Sequence, residues 1–165
     1  MLRRRTRKAS PELPRTVMGR IIRSNTLRLK DDATFRDFVS ELRDKGEIHS
    51  TALIEEIFPI VMRQMIREPH QVAEIPTFVE ELHSLAGDHL KPHETELLIR
   101  HALGQDVSIE GIDPRSAGMI MSLTFMRLAD IVRMTGGDVE LFVNSAIIEA
   151  EAELDRKGIS QVLAR

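Results

Sequence analysis

The chain has no cysteine, no tryptophan and no tyrosine, and its only aromatic rings apart from histidine are six phenylalanines. Without cysteine there can be no disulfide, no thiolate metal ligand and no cysteine nucleophile, and the redox compartment is left undecided. So few rings argue against a single-strand nucleic-acid binder built on aromatic stacking platforms. Long apolar runs are also missing. The longest uncharged stretch is residues 116–126, short of the ~18 to 20 residues a membrane helix needs. No apolar run of ~7 to 15 residues follows the basic start, which argues against a secretory signal peptide. The sequence has no G-x-x-x-x-G-K-[ST] loop, no G-x-G-x-x-G, no G-x-S-x-G elbow and no H-E-x-x-H, the motifs whose geometry serves phosphate cradling, nucleophilic attack and zinc hydrolysis. A cofactor is not expected, and an enzyme stands only as an alternative.

What is present is a chain of 165 residues and 18.7 kDa, 42% hydrophobic and 30% charged. This is the size and composition of one soluble globular domain. The net charge of -3 hides a division. Residues 1–30 hold ten Lys or Arg (Arg3, Arg4, Arg5, Arg7, Lys8, Arg15, Arg20, Arg23, Arg28, Lys30) against Glu12 alone. Of the totals of 23 basic and 26 acidic residues, that leaves 13 basic against 25 acidic in residues 31–165.

A basic arm beside an acidic body binds phosphate by counterion release, without reading base sequence. The residues expected to make such contacts are Arg3, Arg4, Arg5, Arg7, Lys8, Arg15, Arg20 and Arg23. Three plainer readings compete: the arm folds back on the acidic body, it is a solubilising tail, or it is a targeting segment. Its Arg-rich, nearly acid-free composition resembles a mitochondrial presequence, but the Arg3–Lys8 cluster is too dense to form an amphipathic face. Arg7-Lys8-Ala9-Ser10 has the spacing of a basophilic kinase site, where a phosphate would lower the arm's charge.

Along the chain the apolar spacing is helical. Val17, Met18, Ile21 and Ile22 mark a short amphipathic segment with Arg15, Arg20 and Arg23 opposite, too short to be stable unless docked. Phe35, Phe38, Val39 and Leu42 predict a helix from Asp31 or Asp32 to Gly46. A second begins near Ser50 with two apolar rows, Leu53, Ile57, Val61, Met65 and Ile54, Phe58, Met62, Ile66, and Pro59 inside it predicts a kink or a break. Thr77 and Glu80 read as a capping box opening a third. Pro92 opens a fourth that stops at Gly104, and residues 105–112 are the only extended stretch. Asp113 and Pro114 open a helix to about Thr135 that is apolar around most of its circumference and so is expected to be nearly enclosed. The last runs from Asp138 to Lys157.

Residues Leu90, Pro92, Glu94, Glu96, Leu97, Leu98, Arg100, Leu103 and Gly104 resemble the opening helix of a LuxR-type helix-turn-helix. The following VSIEGIDPRSAG departs from that family, lacking its second helix and its basic recognition helix. The expected fold class is therefore all-α: an orthogonal bundle of five to six helices, residues 31–165, with 114–135 at its centre and a basic, flexible arm of residues 1–30.

All six histidines fall between His49 and His101. His83, His89, His93 and His101 are candidate metal ligands if the third and fourth helices pair, with Asp88, Glu94 or Glu96 completing the set. Pro92 interrupts the His89–His93 spacing, and His101 falls on the apolar face, where a core histidine is the commoner outcome. Met119, Met121, Met126 and Met134 suggest an adaptable surface or a homodimer interface. The expected function is a cytoplasmic, non-enzymatic regulatory or adaptor protein whose body binds protein and whose arm contacts nucleic-acid phosphates. The alternatives are a protein-interaction or self-assembly module without nucleic acid, and a His-centred metal-dependent enzyme or sensor.

Overall fold

The computed structural model describes residues 12–28, 50–67 and 69–164. The helix expected over 31–46 lies outside the described residues. Among the described residues there are six α-helices and no β-strand: α1 (Val17–Leu27), α2 (Ser50–Met65), α3 (Ile75–Ala86), α4 (Pro92–Ala102), α5 (Pro114–Met134) and α6 (Val139–Arg156). The protein is an all-α bundle, and no described helix is long and apolar enough to cross a membrane.

The two apolar rows of α2 become the middle of the core. Leu53, Ile54, Ile57, Phe58, Val61 and Met62 are all buried, and α2 makes its most extensive contact with α6. α5 touches each of the other five helices, so its central position follows the sequence reading. Its enclosure does not. Only one stripe of α5 is fully buried, Ile120, Met121, Thr124, Phe125, Leu128 and Ala129, while Met119 and Met134 are 46% and 66% exposed. The helix lies against the bundle along one side, so an apolar circumference is not a buried one. Phe125 meets Phe142 of α6 with tilted rings 6.0 Å apart, binding the two helices that the Gly136–Gly137 turn joins. Between α2 and α6, Lys157 bonds Glu56, and that hydrogen bond holds the ammonium above the usual lysine range.

Helix boundaries follow their end signals with one exception. Asp113 accepts from the Arg115 N–H and Asp138 from the Leu141 N–H at 3.1 Å, each capping the helix it precedes. Pro59 produces no break, because α2 runs continuously through it. The capping box at Thr77 is wrong: α3 begins at Ile75, and Thr77 and Glu80 sit exposed inside the helix. Pro76 explains the shift, since a proline in the first turn is preset for helix and its missing N–H is not needed there. Ile75, 1% exposed, anchors the turn in the core.

Thr77→Ala is therefore expected to change stability by less than ~0.5 kcal/mol, whereas Asp138→Ala, which removes a real cap, costs about 1 kcal/mol. Urea denaturation of the two variants side by side checks this.

Candidate functional site

The basic segment is bound to the body through one carboxylate. Glu151, in the C-terminal third of α6, is 1% exposed. Its Oε2 accepts from the Thr16 N–H at 2.7 Å and its Oε1 from the Arg15 N–H at 3.1 Å. Thr16 is the N-cap of α1, and its hydroxyl accepts from the Gly19 N–H at 2.9 Å. The Val17 N–H donates to the Val162 carbonyl at 2.8 Å, and the Ala164 N–H to the Arg15 carbonyl at 2.8 Å. The start of a helix exposes N–H groups that its own turns cannot satisfy. Here α6 and the C-terminal tail supply the acceptors, and the positive end of the α1 dipole meets a negative charge.

The closeness of this contact fixes a residue. A Cβ on Gly19 would lie 2.8 Å from Glu151 Oε2, 2.8 Å from Thr16 Oγ1 and 2.9 Å from Pro14 Cβ.

Of the arginines expected to contact phosphate, three are described, and all three have partners within the chain. Arg15 pairs with Asp155. Arg20 Nε donates to the Pro14 carbonyl at 2.9 Å. Arg23 Nε donates to Asn144 Oδ1 at 2.8 Å and its Nη2 to Glu140 at 2.7 Å. Arg28, which ends α1 in the left-handed conformation, reaches Asp130 of α5 at 2.7 Å. Residues 15–28 thus fold back on the acidic body. Arg3, Arg4, Arg5, Arg7 and Lys8 lie outside the described residues.

The described histidines His83, His93 and His101 form no metal-ligating group. Among the described residues no group of three or more His, Cys, Asp or Glu is placed to hold a metal ion. His83 donates its Nδ1–H to the Leu90 carbonyl at 2.8 Å, which fixes that tautomer for the neutral ring and ties α3 to the start of α4. His93 is exposed, and the side chain of His89 lies outside the described set. His101, expected on a buried face, is exposed at the rim of a cavity.

That cavity, about 460 Å³, lies between α2, α4, the start of α5 and the connection after α4. Its apolar wall includes Phe58, Pro59, Leu98, Ile109, Ile112 and Met121, and among the described residues its ionisable lining groups are Glu55 and His101. The connection of residues 103–113 has no regular structure, yet it half-buries Ile109 and Ile112 here. Sequence reasoning missed both features. Signals for Glu151 existed: it stands four residues after Ile147 and three before Leu154, inside an apolar stripe.

Comparison with known protein families, with curated proteins and with solved structures finds no match to the chain.

Two glycine substitutions test the anchor in opposite directions. Alanine is favoured over glycine in a helix by ~1 kcal/mol. Gly118, in α5 with open space where a Cβ would sit, is expected to gain about 0.5 to 1 kcal/mol as Ala. Gly19→Ala is expected to lose about 1 to 2 kcal/mol despite the same propensity gain, because the displaced carboxylate leaves its donors. Hydrogen exchange should place that loss first in residues 17–27.

Proposed function

We propose that the protein is a non-enzymatic helical adaptor or regulatory protein whose outermost N-terminal residues contact nucleic-acid phosphates. What carries this reading is the division of labour among the basic residues. Arg15 and Arg23 are engaged by the body and Arg20 bonds the Pro14 carbonyl of its own segment, so the set left for phosphate is Arg3, Arg4, Arg5, Arg7 and Lys8. In sequence those residues precede a segment, from Arg15 on, that is pinned through both backbone and side chain. Each would act as a point charge on the backbone, giving affinity without base readout.

The body supports a second reading, as a surface for a protein partner or for a second copy in the cytoplasm. Met134 and Leu141, 66% and 56% exposed, stand at the two sides of the turn between α5 and α6. Large apolar side chains left outside a bundle are the usual raw material of such contacts.

Binding of random duplex DNA across a salt series tests the first reading. Five phosphate contacts give a slope of log K against log salt of about -4.5, where eight would give about -7. A chain starting at Pro11 should lose binding, and Arg20→Ala with Arg23→Ala should leave the slope unchanged. Absence of binding at physiological salt, or equal binding by the truncated chain, overturns it. For the second reading, sedimentation over a hundredfold concentration range should show self-association that Met134→Lys with Leu141→Lys removes. A monomer throughout leaves a different protein as the body's only partner.

A further inference from the structure

The cavity beside Pro59 has a chemistry of its own, independent of the arm. Its volume of about 460 Å³ falls within the ~300 to 1,000 Å³ usual for small-molecule sites. Its wall is largely apolar, interrupted by the Glu55 carboxylate on one side and by the exposed His101 imidazole, which offers a donor as well as an acceptor, at the rim. Among the described residues the exposed Glu55 carboxylate has no hydrogen-bond or ion-pair partner, whereas its neighbour Glu56 bonds Lys157. Pro59, four residues on, has no N–H to give the Glu55 carbonyl, so the same residue presents a second acceptor deprived of its helical donor. Among the described residues no lysine or arginine lines the cavity. The nearby start of α5 offers little to an anion, since Pro114 lacks an N–H and Asp113 already caps that end. The site therefore suits a bound group that donates hydrogen bonds and carries positive charge.

We infer that the cavity binds a small amphiphilic amine, its hydrocarbon part against Phe58, Leu98, Ile109 and Met121 and its ammonium on Glu55. A carboxylate of the same shape is rejected, because it would bring a second negative charge to an unpaired one. The proline inside α2 then has a use: it costs the helix a hydrogen bond on the side where a ligand can replace the donor. The irregular connection carrying Ile109 and Ile112 closes the apolar wall, which accounts for apolar residues in a loop that forms no element.

The test uses the full chain with labelled isoleucine and methionine methyl groups, titrated with hexylamine and separately with hexanoate. Hexylamine is expected to shift the methyl signals of Ile109, Ile112 and Met121 saturably and to leave Met134 unmoved. Hexanoate is expected to bind about tenfold more weakly, which corresponds to ~1.4 kcal/mol. Glu55→Gln, an exposed and conservative change, should abolish that preference, and Ala117→Leu, which fills the cavity from α5, should abolish the shifts. No saturable shift with hexylamine, equal binding of the acid, or a preference that survives in Glu55→Gln each overturns the proposal.

Discussion

The carboxylate of Glu151 at the start of α1 is the contact that joins residues 15–17 to α6, beside the pairing of residues 162–164 with the same segment. A carboxylate with almost no exposure is costly unless its lone pairs are filled and its charge is opposed. Two backbone N–H groups and a helix dipole do this. The exchange is mutual, because the same N–H groups would otherwise be orphans at a helix end packed on protein. Removing either side leaves the other buried and unpaired, so the contact resists partial opening more than its two hydrogen bonds alone suggest.

That single contact sets a register. Thr16 meets Glu151 and Arg23 meets Asn144, so the partners are seven residues apart on each helix and run in opposite directions. Two turns of α1 therefore lie antiparallel on two turns of α6, with polar pairs replacing apolar ones in a seam that is otherwise Val17, Ile21, Val143, Ile147 and Ala150. Apolar contacts alone tolerate a slip of one turn, because Val, Ile and Ala at helical spacing present similar surfaces. A carboxylate that must meet a helix end does not, since the free N–H groups it takes, those of Arg15 and Thr16, occur only at the entry to α1. The C-terminal tail adds a second restraint, as the carbonyl of Val162 and the N–H of Ala164 pair with residues on either side of Thr16.

The fold was legible where a residue's effect is local. Asp113, Asp138 and the glycines after the helices act on the turn they adjoin, and their positions in the structure follow from spacing and end chemistry. Thr77 shows the limit, because a capping pattern is also produced by chance and Pro76 starts the helix earlier. The sign of the charge in residues 1–30 was plain, but its use was not, since charge composition does not say which arginines find a carboxylate at a sequence distance of more than a hundred residues. Asn144 and Glu151 marked the answer as polar residues in the apolar stripe of α6. Reading them as anchors required knowing that a basic helix lay opposite. The candidate histidines show a related limit: a metal site needs convergence in space, and spacing along two helices separated by Pro92 does not by itself supply it.

The apolar circumference of α5 illustrates how one composition serves several surroundings. Phe125, Leu128 and Ala129 face the core, Ala117 and Met121 face the cavity, and Met119 and Met134 face outward. A helix apolar on all sides reads as enclosed only if every apolar side chain is there to pack. In a bundle of this size each helix has a limited number of neighbours, so some apolar surface must go to a concavity or to an outer face. The cavity forms where α2 and α4 meet the start of α5, beside the proline that costs α2 a hydrogen bond. A proline is tolerated there because Glu55, whose carbonyl loses its helical donor, is an exposed residue. Its presence at the cavity wall, together with an unpaired acid on the same turn, separates this apolar surface from the purely structural one on the opposite side of the helix.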